Sequence, residues 1–129
     1  MTYRIGSGAG FSGDRVDAAG PVVDAIARAG QGGAIMFETI GERTLALGHL
    51  ARLSDPAAGY EPLLAEMVGP ILRRCVEAGI VIVGNFGCAN PDGAAALIAS
   101  LAEDQGLAGL RIAVVEGDDI RAGLDLDAL

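Results

Sequence analysis

Gly79-Ile80-Val81-Ile82-Val83-Gly84 is the stretch of sequence that decides the fold class of this chain. Its apolar centre is too short for a helix, and a run of β-branched residues between glycines is typical of a strand buried on both faces. Residues 34–37, Ala-Ile-Met-Phe, follow Gly32-Gly33 and have the same character. Helix-spaced apolar residues separate the two runs. Short apolar strands joined by helices predict a parallel sheet and therefore an α/β fold.

The same pattern extends over the rest of the chain. It predicts strands over residues 3–5, 34–37, 80–83 and 110–115, and helices near residues 16–29, 42–53, 62–78 and 91–105. The segment from Gly6 to Gly13 is rich in glycine and is predicted as a loop. Right-handed crossovers then give a single three-layer Rossmann-like domain over residues 1–129, with a four-stranded parallel sheet and helices on both faces.

The composition excludes several classes of protein. Of the 129 residues, 51% are apolar and 20% are charged, which is enough for a buried core and excludes a disordered chain. The formal charge is −8 and all nine residues counted as lysine or arginine are arginines, so no nucleic-acid partner is expected. No apolar run approaches the roughly 20 residues that span a bilayer. We therefore expect a cytoplasmic protein with no membrane partner, in which Cys75 and Cys88 are reduced thiols.

Polar side chains gather directly after each predicted strand, at residues 7–15, 38–43, 85–90 and 116–119. The carboxyl ends of parallel strands lie at one edge of a sheet, and open α/β sheets bind their ligands at that edge. The turns at the opposite edge carry hardly any functional groups. The sequence therefore predicts a ligand site at the carboxyl edge.

The segment Gly8-Ala9-Gly10-Phe11-Ser12-Gly13 has the pattern GxGxxG between a predicted strand and a predicted helix. In that context the pattern binds a pyrophosphate through backbone N–H groups. Asp14 and Asp17 count against NAD(P), because they place negative charge beside the phosphates. Another anionic or acyl-CoA ligand and a simple tight turn are the alternatives. The candidate ligand-binding residues of this segment are Gly8, Gly10, Ser12, Gly13 and Asp14.

Carboxylates and amides supply the remaining candidates. Glu38 ends the second strand, where it could hold ribose hydroxyls or act with Glu42 and the acidic group at residues 116–119. Such carboxylates serve as acid, base or Mg²⁺ ligands, although helix capping without chemistry is the alternative. Asn85 is a candidate ligand contact, whereas Asn90, before Pro91, is chiefly expected to cap a helix.

Five blocks of sequence, in this order, resemble the N-terminal portion of the acyclic terpene utilisation (AtuA-like) family. They are Gly10-Phe11-Ser12-Gly13-Asp14, Phe37-Glu38-Thr39-Ile40-Gly41-Glu42-Arg43-Thr44, Asp55-Pro56-Ala57-Ala58-Gly59-Tyr60, Asn85-Phe86-Gly87-Cys88-Ala89-Asn90-Pro91 and Val115-Glu116-Gly117-Asp118-Asp119. The resemblance implies a place in the breakdown of acyclic terpenoids or branched acids as CoA thioesters, with the reaction undefined. It also implies a longer domain, so this chain is expected to be a fragment, a split subunit or a reduced paralogue.

The resemblance adds family positions to the residue-based candidates. Residues that recur in the family pattern are Gly10, Gly13, Asp14, Glu42, Thr44, Asn85, Gly87, Asn90, Gly117, Asp118 and Asp119. Thr39, Arg43 and Cys88 depart from that pattern. A different ligand preference is therefore expected for this chain.

The leading hypothesis is an AtuA-like protein that binds a small carboxylate or acyl-CoA at the carboxyl edge, with its own catalysis left open. The proposed catalytic residues are Glu42, Asp118 and Asp119, and Glu116, Asp118 and Asp119 are candidate Mg²⁺ ligands. Ligand binding is assigned to Gly8, Gly10, Ser12, Gly13, Asp14, Glu38, Thr44, Asn85, Gly87 and Asn90.

Two alternatives remain open. One is a non-catalytic subunit that completes another chain's active site, and the other is an NAD(P)-binding oxidoreductase domain. The absence of lysine from the sequence counts against the oxidoreductase. An apolar sheet face left without a covering helix is expected to drive association with a second copy or a companion subunit.

Overall fold

A computed structural model describes residues 2–120 and 123–125 of the chain. Its elements are β1 (Arg4–Ala9), α1 (Ala19–Arg28), β2 (Gly33–Phe37), α2 (Glu42–Ser54), α3 (Leu64–Ala78), β3 (Ile80–Gly84) and α4 (Pro91–Asp104). The three strands are parallel and lie side by side in the order β1-β2-β3. The predicted α/β class is confirmed.

Strand β1 extends six residues, to Ala9, and so includes glycines that the sequence predicts as a loop. The reason is close packing of the strand against its neighbours. A Cβ atom on Gly6 would collide with Val22 of α1, and one on Gly8 would lie 2.7 Å from Cζ of Phe37. A register shift between Ser7 and Ala9 accommodates Gly8. These two glycines allow neighbouring side chains to approach the strand.

The core lies on one face of the sheet, beneath α1, α3 and α4. Ile35 and Phe37 of β2 are fully buried there, against Val23 of α1 and Leu72 of α3. Helix α4 packs against α3 and adds Ile98 to the same core. Helices α1 and α3, which pack on the strands that they connect, therefore lie on this side together with α4.

No helix of the described ranges packs on the opposite face of the sheet. Strand register places Ile5, Ala34 and Val81 in one row across it, and Met36 and Val83 in the next. Ile5 is 75% exposed, Val81 is 55% exposed and Val83 is 48% exposed. We call these five residues the open face. Helices on both faces, as the sequence predicts, are therefore not found in the described part of the chain.

Topology explains this correction. Successive right-handed crossovers that move in one direction across a sheet place their helices on the same face. The strand order β1-β2-β3 never reverses, so nothing directs a helix to the open face. Helix α2 has no buried residue and packs instead against loops beyond the carboxyl ends of the strands.

The predicted fourth strand is not confirmed. Residues 110–115 belong to no strand, and residues 111–115 are exposed. The segment runs beside β3 but is separated from it by an apolar groove of about 880 Å³, lined by both, which we call the β3 groove. A strand requires backbone hydrogen bonds to a neighbouring strand, and the groove keeps this segment from making them with β3. The described sheet therefore has three strands.

Within the described ranges, the helices are all too short or too polar to cross a membrane.

Candidate functional site

A cavity of about 470 Å³ lies at the carboxyl edge of the sheet. Its lining comes from segments that are distant in sequence: Ser12 of the β1–α1 loop, Thr39 after β2, the 44–51 part of α2, the 55–62 segment before α3, and Cys88 after β3. We call it the edge cavity. Its position agrees with the edge at which the sequence predicts a ligand site.

Helix α2 forms one wall of the edge cavity and is held by close contacts with the loop after β3. A Cβ atom on Gly48 would lie only 2.6 Å from Sγ of Cys88, so glycine is required for this approach. The Cys88 Sγ lies 3.6 Å from the carbonyl oxygen of Thr44, and Arg52 donates a hydrogen bond to the carbonyl oxygen of Ala89. Leu47 and Ala51 of this wall supply apolar surface.

Cys88 has a backbone φ of 49°, in the left-handed region that favours glycine. Burial raises the pKa of its thiol, so the sulfur is protonated at neutral pH. The side chain thus behaves as a small packing group that joins α2 to the loop after β3. A nucleophilic role would require the opposite shift of the pKa.

The most buried carboxylate at the cavity wall is Glu61, whose residue is 3% exposed. Its Oε2 accepts a hydrogen bond of 2.6 Å from the hydroxyl of Ser12, and its Oε1 accepts one of 3.1 Å from the N–H of Leu63. The second bond satisfies a backbone donor at the start of α3. Glu61 therefore fixes the start of α3 and ties the β1–α1 loop to it.

Glu38, Thr39 and Asn85 form a hydrogen-bonded group that joins the ends of β2 and β3. The Asn85 Oδ1 accepts from the N–H of Thr39 at 2.8 Å, and its Nδ2 donates to Oε1 of Glu38 at 2.9 Å. The Asn85 amide, and then the N–H of Ile40, lower the pKa of Glu38 below its usual value. Both polar atoms of the Asn85 side chain are thus engaged within the protein.

Asn90 is 5% exposed, and its side chain joins two segments. Its Oδ1 caps α4 by accepting from the N–H of Gly93 at 3.0 Å, which confirms the predicted capping role. Its Nδ2 lies within hydrogen-bonding distance of the carbonyl oxygens of residues 56–58, the shortest distance being 2.9 Å to Ala58. It therefore holds the wall of the edge cavity in place.

At the GxGxxG segment, residues 8–13, the Asp14 carboxylate already occupies a backbone N–H group that could bind an anion. The N–H of Gly10 donates to Oδ2 of Asp14 at 2.9 Å, and this bond, followed by that from the N–H of Arg15, lowers the pKa of the Asp14 carboxyl. Arg15 pairs with Asp17 at 2.6 Å, and both side chains are well exposed. A pyrophosphate here would have to displace the Asp14 carboxylate.

A scan against protein-family models matches residues 3–127 to the family described as acyclic terpene utilisation family protein AtuA. The chain belongs to the AtuA family. The match covers nearly the whole sequence and agrees with the five blocks that carry the resemblance. Neither a search of curated proteins nor one of solved structures gives a significant match.

The proposed catalytic acids of this AtuA-family chain do not share one cavity. Glu42 begins α2 and is exposed, and it lines neither the edge cavity nor the β3 groove. Glu116, Asp118 and Asp119 lie on the exposed segment after residue 115, where Asp118 lines the β3 groove. Across residues 2–120 and 123–125, no three His, Cys, Asp or Glu side chains form a group able to hold a metal ion.

Three further predicted residues of the AtuA chain lie at the edge cavity or in the loop after β3. Ser12 and Thr44 line the edge cavity. Gly87 serves packing, because a Cβ atom there would lie 2.8 Å from Cα of Pro91.

The sequence alone does not identify Glu61, because its hydrogen-bond donor, Ser12, lies 49 residues away in the sequence. A charged residue immediately before Pro62 and the apolar pair Leu63-Leu64 is the one signal that marks it as a helix-start residue.

Proposed function

We propose that this AtuA-family protein acts in the breakdown of acyclic terpenoids or branched acids and binds a small carboxylate or acyl-CoA ligand in the edge cavity. The observation that carries the proposal is the cavity itself, at the edge where α/β sheets bind ligands. Its volume of about 470 Å³ falls in the range of small-molecule sites.

The lining supports a ligand with a hydrocarbon part. Leu47, Ala51 and Pro62 offer apolar surface, and the hydroxyls of Ser12 and Thr44 lie on the same lining. In small-molecule sites an apolar lining supplies most of the contact and a few polar groups fix the orientation. A branched acyl chain fits this description, with the nucleotide part of a CoA thioester outside the cavity.

Thermal unfolding of the purified chain tests the proposal. The ligands are branched acyl-CoAs, the matching acids, CoA, NAD and NADP, each with and without Mg²⁺. A ligand at about 100 times its Kd stabilises by roughly 2.7 kcal/mol, which is a shift of several degrees for a chain of this size. A shift with acyl-CoA or acid supports the proposal, whereas a shift with NAD alone supports the oxidoreductase alternative.

A matched pair of variants locates the site. Ala51→Phe places a ring against the edge cavity, and Ala46→Phe places the same ring on an exposed position of α2 outside it. We expect the first variant to lose the ligand-induced shift and the second to keep it. Equal behaviour of the two variants would place the ligand elsewhere.

We also propose that residues 110–115 complete a fourth, parallel strand of a Rossmann-like sheet at the free edge of β3. Helix α4 packs on the same side as α3, and a right-handed crossover from that side directs the next strand to this edge. The segment already lines the β3 groove. Hydrogen exchange should then show protected amides at residues 111–115, and rapid exchange throughout the segment would contradict a fourth strand.

The second candidate function is a subunit that completes another chain's site, and the open face favours it. Contiguous exposed apolar residues mark interaction surfaces. A companion polypeptide is the proposed occupant. Light scattering gives the test: a monomer that binds no ligand until a companion chain is added supports the subunit, and a ligand-binding monomer contradicts it.

A further inference from the structure

We infer that the edge cavity selects an uncharged, hydroxyl-bearing branched hydrocarbon and rejects the matching free carboxylate, with Glu61 as the discriminating residue. The inference rests on the proposed function, because it concerns the ligand of the same cavity. Of the ligand classes proposed there, it rejects the free carboxylate and keeps an uncharged branched group inside the cavity.

The lining of the edge cavity carries negative charge. The ionisable acids that line the edge cavity are Asp55 and Glu61, and within the described ranges the lining includes no arginine and no histidine. Arg52 donates to the carbonyl of Ala89 and Arg15 pairs with Asp17, and neither arginine is among the residues that line the cavity. A bound carboxylate would therefore meet like charge in the lining itself.

The pair formed by Ser12 and Glu61 can still accept hydrogen bonds from a ligand. The Ser12 hydroxyl proton already points to Glu61 at 2.6 Å, so its oxygen is left as an acceptor. The carboxylate of Glu61 has room for further donors beyond Ser12 and Leu63. This pair can accept a hydrogen bond from a ligand hydroxyl, whereas an ionised carboxylate has no proton with which to donate one.

Burial of Glu61 increases the effect of its charge on a ligand. Glu61 is 3% exposed, so water screens its charge far less than it screens a surface carboxylate. Repulsion between two carboxylates in such a site corresponds to roughly tenfold or more in affinity. An alcohol avoids this repulsion and gains a charge-assisted hydrogen bond.

Calorimetric titration of the full chain tests the inference with three matched probes: geraniol, geranic acid and the methyl ester of that acid. At neutral pH the unmodified protein should bind the alcohol at least about tenfold more tightly than the acid, and the uncharged ester should also bind more tightly than the acid. E61Q keeps the shape of the side chain and removes its charge. It should reduce the preference for alcohol over acid to below about threefold.

Glu66 provides the matched control, because E66Q removes one exposed carboxylate from the first turn of α3, the helix that begins just after Glu61. This variant should keep the preference of the unmodified protein. Acid and alcohol of equal affinity in the unmodified protein, or equal effects of E61Q and E66Q, would overturn the inference while leaving the proposed function intact. If none of the three probes binds, the inference fails, whereas the thermal test with acyl-CoAs decides the proposed function separately. If E61Q does not fold, the affinities of the unmodified protein for the acid and for its methyl ester still show whether the cavity rejects a carboxylate charge.

Discussion

The two faces of the sheet have similar residues and opposite surroundings. Ile35 and Phe37 of β2 are 0% exposed beneath α1 and α3, whereas Val81 and Val83 of β3 are 55% and 48% exposed on the open face. The apolar runs that contain these residues look alike in sequence. The difference comes from the unbroken strand order, which places the connecting helices on one side. An apolar strand therefore predicts burial, but it does not tell how many of its faces this chain alone covers.

The largest expected effect tests the covered face against the open face directly. Phe37→Ala should destabilise the protein by about 3–5 kcal/mol, because it leaves a cavity in a core that cannot collapse to fill it. Val83→Ala, on the open face, should cost below about 1 kcal/mol. Urea unfolding of both variants measures the two values. Similar losses of stability would mean that the open face is packed in the folded protein.

A smaller effect extends the comparison to two glycines of the same region. Gly8→Ala places a methyl group 2.7 Å from the Phe37 ring and should cost about 1–3 kcal/mol through overpacking. Gly10→Ala has only the Asp14 carboxylate nearby, at 3.9 Å, and should change stability by less than about 0.5 kcal/mol. The same unfolding assay applies. If Gly10→Ala proves the more damaging change, the loop rather than the covered face requires glycine.

The carboxyl edge, where the two faces meet, gives a prediction in pH. The Asn85 amide lowers the pKa of Glu38 in the folded state, so this bond stabilises the protein above the unfolded pKa and the gain is lost as pH falls through the folded pKa. Asn85→Ala should therefore lose less stability than the unmodified protein does as the pH falls from neutral, past the ordinary glutamate pKa of about 4.3, to below the lowered pKa of Glu38. Titration of Glu38 by NMR should show its pKa higher in the variant.

The control for this prediction is Glu38→Gln, which removes the titrating group. It should abolish the same part of the acid sensitivity that Asn85→Ala reduces. An unchanged acid response in both variants would mean that the Glu38–Asn85 bond is absent in solution.

The smallest effect on the folded monomer is expected on the open face. Val81→Asp puts a charge where the side chain is already 55% exposed, so the monomer should lose less than about 1 kcal/mol. If a partner covers this face, the same change should disperse the assembly, because it buries an unpaired charge. Light scattering with and without the substitution separates the two effects. An assembly that survives Val81→Asp must use another surface.

Most elements of this fold are readable from the sequence. The strand at residues 80–83, the strand at 34–37 and the helix capped by Asn90 follow from short apolar runs and from capping residues, which are local signals. The end of β1 cannot be predicted in this way, because Gly6 and Gly8 belong to the strand through close packing against side chains that lie 16 and 29 residues further along the chain. Propensity assigns such glycines to a loop.

The candidate site is readable only in part. The carboxyl edge and Ser12 follow from strand ends and the GxGxxG pattern, Thr44 follows from the family resemblance, and all lie at the edge cavity. Glu61 does not follow, because its importance comes from burial and from a hydroxyl in a distant loop. The grouping of Glu42 with Asp118 is not seen, since the segment after residue 110 forms no strand that would bring them together.

The strand order also bears on how the protein is made. Each strand of the described sheet pairs with the strand that precedes it in the chain, so β2 needs only β1, and β3 needs only β2. Chains are synthesised from the N-terminus, and early segments fold before later ones leave the ribosome. This sheet can therefore assemble in the order of translation, and its growing edge is always the newest strand.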